Sequence, residues 1–136
     1  MLGDRFGALV LILVLASIAA TTPLAAAQTL QWDELWGGAG SDEARGVAVS
    51  PDGSYVYMAG YTESFGAGGF DALLVKYSSG GSLMGERLWG GAGSDVAYGV
   101  AVSPGGSYVY IAGGTLSFGA GEYDALLTRY GTSTVP

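Results

Sequence analysis

Two identical hexapeptides place an aspartate at the end of a glycine-rich run. Gly37-Gly38-Ala39-Gly40-Ser41-Asp42 follows Trp36, and Gly90-Gly91-Ala92-Gly93-Ser94-Asp95 follows Trp89. Both fit the opening of G-G-x-G-x-D-x-U-x, a calcium-binding nonapeptide of parallel β-helices, and Ala44 and Ala97 fill its apolar eighth position. A stack of calcium turns needs that nonapeptide in tandem, so that each turn supplies half of a site to the next. Here the copies stand 53 residues apart, and the spacing is wrong for such a stack.

The other carboxylates with a partner are Asp42 with Glu43, and Asp71 with its counterpart Asp124. Glu43 is replaced by Val96 in the second copy, so that pair is not a repeated device. Asp42, Asp95, Asp71 and Asp124 each stand where a glycine-rich loop meets an apolar segment. An aspartate there accepts backbone N–H bonds and fixes the turn. The chain has no His and no Cys, which excludes a histidine-dependent hydrolase triad and a His- or Cys-ligated zinc site. No catalytic residue, cofactor or resident metal is expected.

For binding, the candidates are aromatic. Trp36, Trp89 and the tyrosines offer apolar faces suited to sugar stacking, and the competing reading is packing between repeats. The loops 62–69 and 115–122 are the expected recognition surface, because loops on a rigid scaffold carry recognition. Tyr61, Phe65, Tyr98, Phe118 and Tyr123 are the ring-bearing residues at or beside them.

These residues are positioned by an internal repeat. Residues 36–77 and 89–130 align without a gap, and only ten of the 42 pairs differ: 43/96, 45/98, 52/105, 58/111, 61/114, 63/116, 69/122, 70/123, 75/128 and 76/129. A period of this size marks a solenoid, propeller or array. In the first copy, strands are expected over 46–50, 54–60, 72–77 and 83–89. Pro51-Asp52-Gly53 forms a tight hairpin turn, with Gly53 and its mate Gly106 as turn residues. The second copy reads Pro104-Gly105-Gly106, so Asp52 is a turn former. Four short strands in about 50 residues is the size of one propeller blade. Residues 29–36 echo 82–89 and read as a closing fourth strand without its first three.

The leader is distinct. Residues 9–20 are almost wholly apolar, Arg5 precedes them, and Ala25-Ala26-Ala27 follows. This describes a secretory signal peptide over 1–27, with an uncleaved N-terminal anchor as the alternative. The remainder, 28–136, is expected to be exported, at the cell surface or outside the cell. Only Arg45, Lys76, Arg87 and Arg129 offset its acids, and the net charge is −7. That balance excludes nucleic acid and anionic membrane surfaces as partners; membrane association is expected only if the leader stays uncleaved.

"WGGAGSDEARGVAVSPDGSYVYMAGYT" followed by "FDALLVKYSSGGSL" resembles the SBBP-type β-propeller repeat, with its G-G-s-G-x-D segment, G-[IV]-A-V strand, D-G turn and D-A-[FL] strand. The resemblance implies a secreted or cell-surface propeller and brings no catalytic residues. The expected fold is all-β, two four-stranded propeller-type blades after a signal segment. Two blades cannot surround an axis, so completion by a homo-oligomeric ring of three or four chains is expected. The expected function is a non-enzymatic binding or scaffold module for a protein or glycan ligand. Its rivals are a small oligomeric lectin, a carboxylate-based calcium site at the Gly/Asp loops, and a truncated relic of a longer propeller.

Overall fold

The computed structural model describes residues 28–135. The expected signal segment, 1–27, lies outside them. Among the described residues no helix is long and apolar enough to cross a membrane.

The described residues form seven strands joined by short turns and by two longer loops, after β2 and after β6: β1 Asp42–Val49, β2 Tyr55–Thr62, β3 Asp71–Ser78, β4 Leu83–Trp89, β5 Asp95–Val102, β6 Tyr108–Thr115 and β7 Asp124–Gly131. They form two antiparallel sheets, β1-β2-β3-β4 and β5-β6-β7, each in chain order. The strands follow from β-branched and aromatic runs, Val47-Ala48-Val49 and Tyr55-Val56-Tyr57 among them, bounded by Gly, Pro and Ser. The hairpin turns need a left-handed residue. Gly53 and Gly106 supply it with φ of 74° and 72°, and their N–H groups donate to the carbonyls of Ser50 and Ser103, both at 2.8 Å. Asp52 adds to its turn by accepting from the Ser50 hydroxyl at 2.6 Å and from the Ser54 N–H at 3.0 Å.

The sheets stack face to face. In each, the face carrying Leu74 or its mate Leu127 is called leading, and the opposite face trailing. The leading face of the first sheet presents Tyr57, Ala59, Ala72 and Leu74 to the trailing face of the second, where Ala97, Val109, Ile111 and Leu126 meet them. All are buried, the four from the first sheet at 0 % exposure. Each large side chain enclosed there contributes roughly 1.5–3 kcal/mol of burial free energy. A second apolar cluster of Leu73, Val75 and Tyr77 covers the trailing face of the first sheet, with Trp36 and Leu88 packed on it. With both faces of β3 buried, in–out alternation is lost: seven consecutive residues from Asp71 to Tyr77 are buried.

The two sheets differ in size from the pair of four-stranded units expected. The second sheet has three strands. Residues 29–36, expected as a closing strand, form no ladder within this chain. They lie instead against the first sheet, where the Trp32 indole N–H donates to the Ser79 carbonyl at 3.2 Å. The reason is geometric. Trp36 leads straight into β1 and packs on the trailing face of the first sheet, whereas the free edge of β7 belongs to the other sheet of the stack.

Candidate functional site

Each glycine-rich crossing is latched by its aspartate. The Asp42 carboxylate accepts from the Gly38 N–H at 2.9 Å, the Ser64 hydroxyl at 2.6 Å and the Thr62 hydroxyl. Ser64 Oγ in turn accepts from the Gly40 N–H at 2.8 Å. β1 places Asp42 and β2 places Thr62 directly opposite it, so one rung of the sheet carries both. The Ser64 hydroxyl, with those of Thr62 and the Gly38 N–H, holds the Asp42 carboxyl down to about 2, because every donor favours the charged form.

The second repeat builds the same latch. Asp95 accepts from the Gly91 N–H at 2.9 Å, the Ser117 hydroxyl at 2.5 Å and the Thr115 hydroxyl, and Ser117 Oγ accepts from the Gly93 N–H at 2.9 Å. Asp95 is wholly buried. Burial pushes its carboxyl up, and the bonds from Ser117, Thr115 and Gly91 outweigh it, leaving the carboxyl below its ordinary value. What covers it is the 62–70 loop of the first repeat: the Asp95 N–H donates to the Phe70 carbonyl at 2.6 Å and the Gly69 N–H to the Gly93 carbonyl at 3.2 Å.

Asp71 and Asp124 start the third strand of each repeat. Asp71 is 3 % exposed and accepts from the Ala67 N–H at 2.8 Å; Asp124 accepts from the Ala120 N–H at 2.8 Å. For Asp71, burial outweighs that bond and the neighbouring Asp95 charge adds to it, so its carboxyl is raised. Asp71 and Asp95 converge on the space that a Cβ on Gly90 would fill. Among the described residues no three His, Cys, Asp or Glu side chains converge as a metal site would require.

The five aromatic candidates are dispersed. Phe65 packs edge-on to Trp36 with centroids 5.4 Å apart, and Phe118 on Trp89 at 5.1 Å. Tyr61 packs against Phe70 with centroids 4.6 Å apart and ring planes tilted by 55°, its hydroxyl donates to Glu43, and the Arg45 guanidinium lies 5.5 Å from its ring. Tyr98 and Tyr123 are half exposed and belong to no such cluster.

Sequence reasoning passed over two groups. Thr62/Ser64 and Thr115/Ser117 complete the latches, and their signal is the identical T-x-S after the second strand of both copies. The second group adds Arg45 and Phe70 to Glu43 and Tyr61, which the sequence had already offered singly, in one contiguous patch on the first repeat. Arg45 forms an ion pair with Glu43 at 3.1 Å, both side chains a little under half exposed. All four positions are among the ten that differ between copies, and the second repeat carries Val96, Tyr98, Gly114 and Tyr123 there. Neither a scan against family models nor a search of curated proteins finds a match to this chain.

Proposed function

We propose that this chain is an exported, non-enzymatic repeat protein of SBBP-like, β-propeller type, acting as a binding or scaffold module at the cell surface or outside the cell. The carrying observation is the latch. At both crossings the aspartate, the group best suited to chemistry, is engaged by three donors of its own chain. A carboxylate so engaged holds backbone in place, and this also counts against a calcium role for the same loops. The stacked sheets, built from two copies of one repeat, support a blade-like arrangement. The recognition surface in this reading is the Glu43/Arg45/Tyr61/Phe70 patch, a cluster in which all four positions differ between the repeats.

The test is retention on the producing cell. Labelled protein is expected to stay on the cell surface, and the triple variant Glu43→Val, Arg45→Tyr, Tyr61→Gly, which gives the first repeat the residues of the second, is expected to be shed to the medium. Wild-type protein found free in the medium would sink the surface role. A second reading, a lectin-like module, draws on the half-exposed Phe65, Tyr98, Phe118 and Tyr123, whose rings offer stacking faces. A glycan array without hits removes it.

A further inference from the structure

The interface inside this chain is built from a leading and a trailing face, and the same two surfaces recur at its ends. On the second sheet, Tyr108, Tyr110, Ala112, Ala125 and Leu127 stand where Tyr55, Tyr57, Ala59, Ala72 and Leu74 stand on the first. Leu74 is fully buried, but Leu127 is 72 % exposed. On the trailing face of the first sheet, Val47 and Val49 are 69 % and 56 % exposed, whereas their mates Val100 and Val102 pack into the core. An apolar groove of about 400 Å³ opens there between Val47, Val56, Met58 and Trp32.

The fit extends to detail. A Cβ on Gly46 would meet Val100 at 3.3 Å, so this glycine lets the neighbouring sheet close in; a Cβ on its mate Gly99 meets nothing. Gly99 leaves open the space that Val47, the mate of Val100, would fill. Lys76 lies 4.4 Å over the Tyr55 ring, and Arg129 repeats the pose at 4.5 Å over Tyr108. The Lys76 ammonium also donates to the carbonyls of Thr132 and Val135, at 2.9 and 3.2 Å. By the repeat offset, Arg129 would face the 79–82 turn of a following unit. An uncovered apolar face of this kind is a contact surface or an aggregation hazard.

We propose that the leading face of the second sheet docks on the trailing face of the first sheet in a second copy of this chain, head to tail. The free edge of β7 then lies beside residues 29–36 of the second copy, in the register β4 takes on β3, where Gly85 stands opposite Lys76 and Trp32 would stand opposite Arg129. The occupant is a second copy because the interface already exists once within the chain, made from the same residues. Ring closure rests on the propeller-type reading above; the pairwise contact does not.

The chain has no cysteine, which gives a clean test. Gly99→Cys and Val47→Cys are placed together in the full chain and oxidised. A ladder of covalent multimers on a non-reducing gel is expected, and the band where it stops reads the ring number. The control carries Gly46→Cys and Val100→Cys and closes its bond within one chain. Monomer alone, with the control bond formed, overturns the proposal. Light scattering that gives wild type and Leu127→Glu the same mass overturns it as well. Cell retention is read separately, so a failed assembly and a failed binding role are distinguishable.

Discussion

Asp71 and Asp95 come together beside Gly90, yet burial and hydrogen bonding drive them in opposite directions. Replacing each by Asn should therefore change stability with opposite sign. Asp95→Asn keeps the shape but turns one acceptor oxygen into an N–H₂ group. Whichever way the amide is placed, it opposes a donor: the Gly91 N–H on one side, and on the other the Thr115 hydroxyl, whose oxygen already accepts from the Ser117 and Phe118 N–H groups. A buried donor left unpaired costs about 1–3 kcal/mol, and loss of charge-assisted bonds adds to that. We expect about 3 kcal/mol, which in a domain of this size lowers Tm by roughly 10–15 °C. Asp71→Asn retains an acceptor for the Ala67 N–H and removes a buried charge beside Asp95, so its Tm at pH 7 should rise.

The assay is thermal unfolding by circular dichroism, with both variants made in the Leu127→Glu background so that assembly does not enter. In that background Asp42→Asn should fall by less than Asp95→Asn, because Asp42 makes the same bonds at a partly exposed position. The reasoning fails if Asp71→Asn and Asp95→Asn both lower Tm by similar amounts, or if Asp95→Asn shifts it by less than about 3 °C.

Three further outcomes follow from the same geometry. Acid should weaken the fold: Asp42, with its carboxyl at about 2 against about 3.9 unfolded, contributes stability above that unfolded value and loses it as pH falls from 4 toward 2. Asp71, being raised, has the reverse sign, so the gain from Asp71→Asn should vanish below about pH 4 in urea melts. Leu74→Ala should cost about 2–5 kcal/mol by opening a cavity, while its exposed mate Leu127→Ala stays within about 0.5 kcal/mol in dilute monomer; chemical denaturation of the pair checks both. Lys76→Met should cost about 1–3 kcal/mol, because the Thr132 and Val135 carbonyls lose their donor, and hydrogen exchange should show the 132–135 segment loosened first.

Much of the fold was legible because the repeat states it twice. Pro51-Asp52-Gly53 and Pro104-Gly105-Gly106 marked the hairpins, and the apolar runs beside them marked β1, β2, β5 and β6. The strands reach further than expected at the latch ends: β1 begins at Asp42 and β2 ends at Thr62. Asp42 looked like a loop residue because glycines precede it, but its carboxylate bonds Thr62 across the ladder and draws the strand out. A register shift between Ala44 and Gly46 makes room for Arg45, and no local pattern announces a bulge. The divergent patch was harder still. Glu43 and Arg45 stand well away from Tyr61 and Phe70 in sequence, and the pairing of Glu43 with Tyr61 brings them together.

The differences between the copies are themselves placed with a physical logic. On the faces that stack, the changes are Met58 for Ile111, Val75 for Thr128 and Lys76 for Arg129, each close in volume, and the last keeps its cation over a tyrosine ring. Close packing allows few swaps beyond those that keep shape and volume, and Thr128, which keeps the shape of Val75, leaves its hydroxyl buried without a partner. That constraint is expected for Tyr57, Leu74, Val109 and Ile111, which are buried. It is not expected for Tyr108, Leu127, Val47 and Val49, which face water in a lone chain and could turn polar at almost no cost in folding free energy. Their apolar identity is explained if they too meet a sheet, and the four-residue patch, free of that constraint, is where the repeats part company.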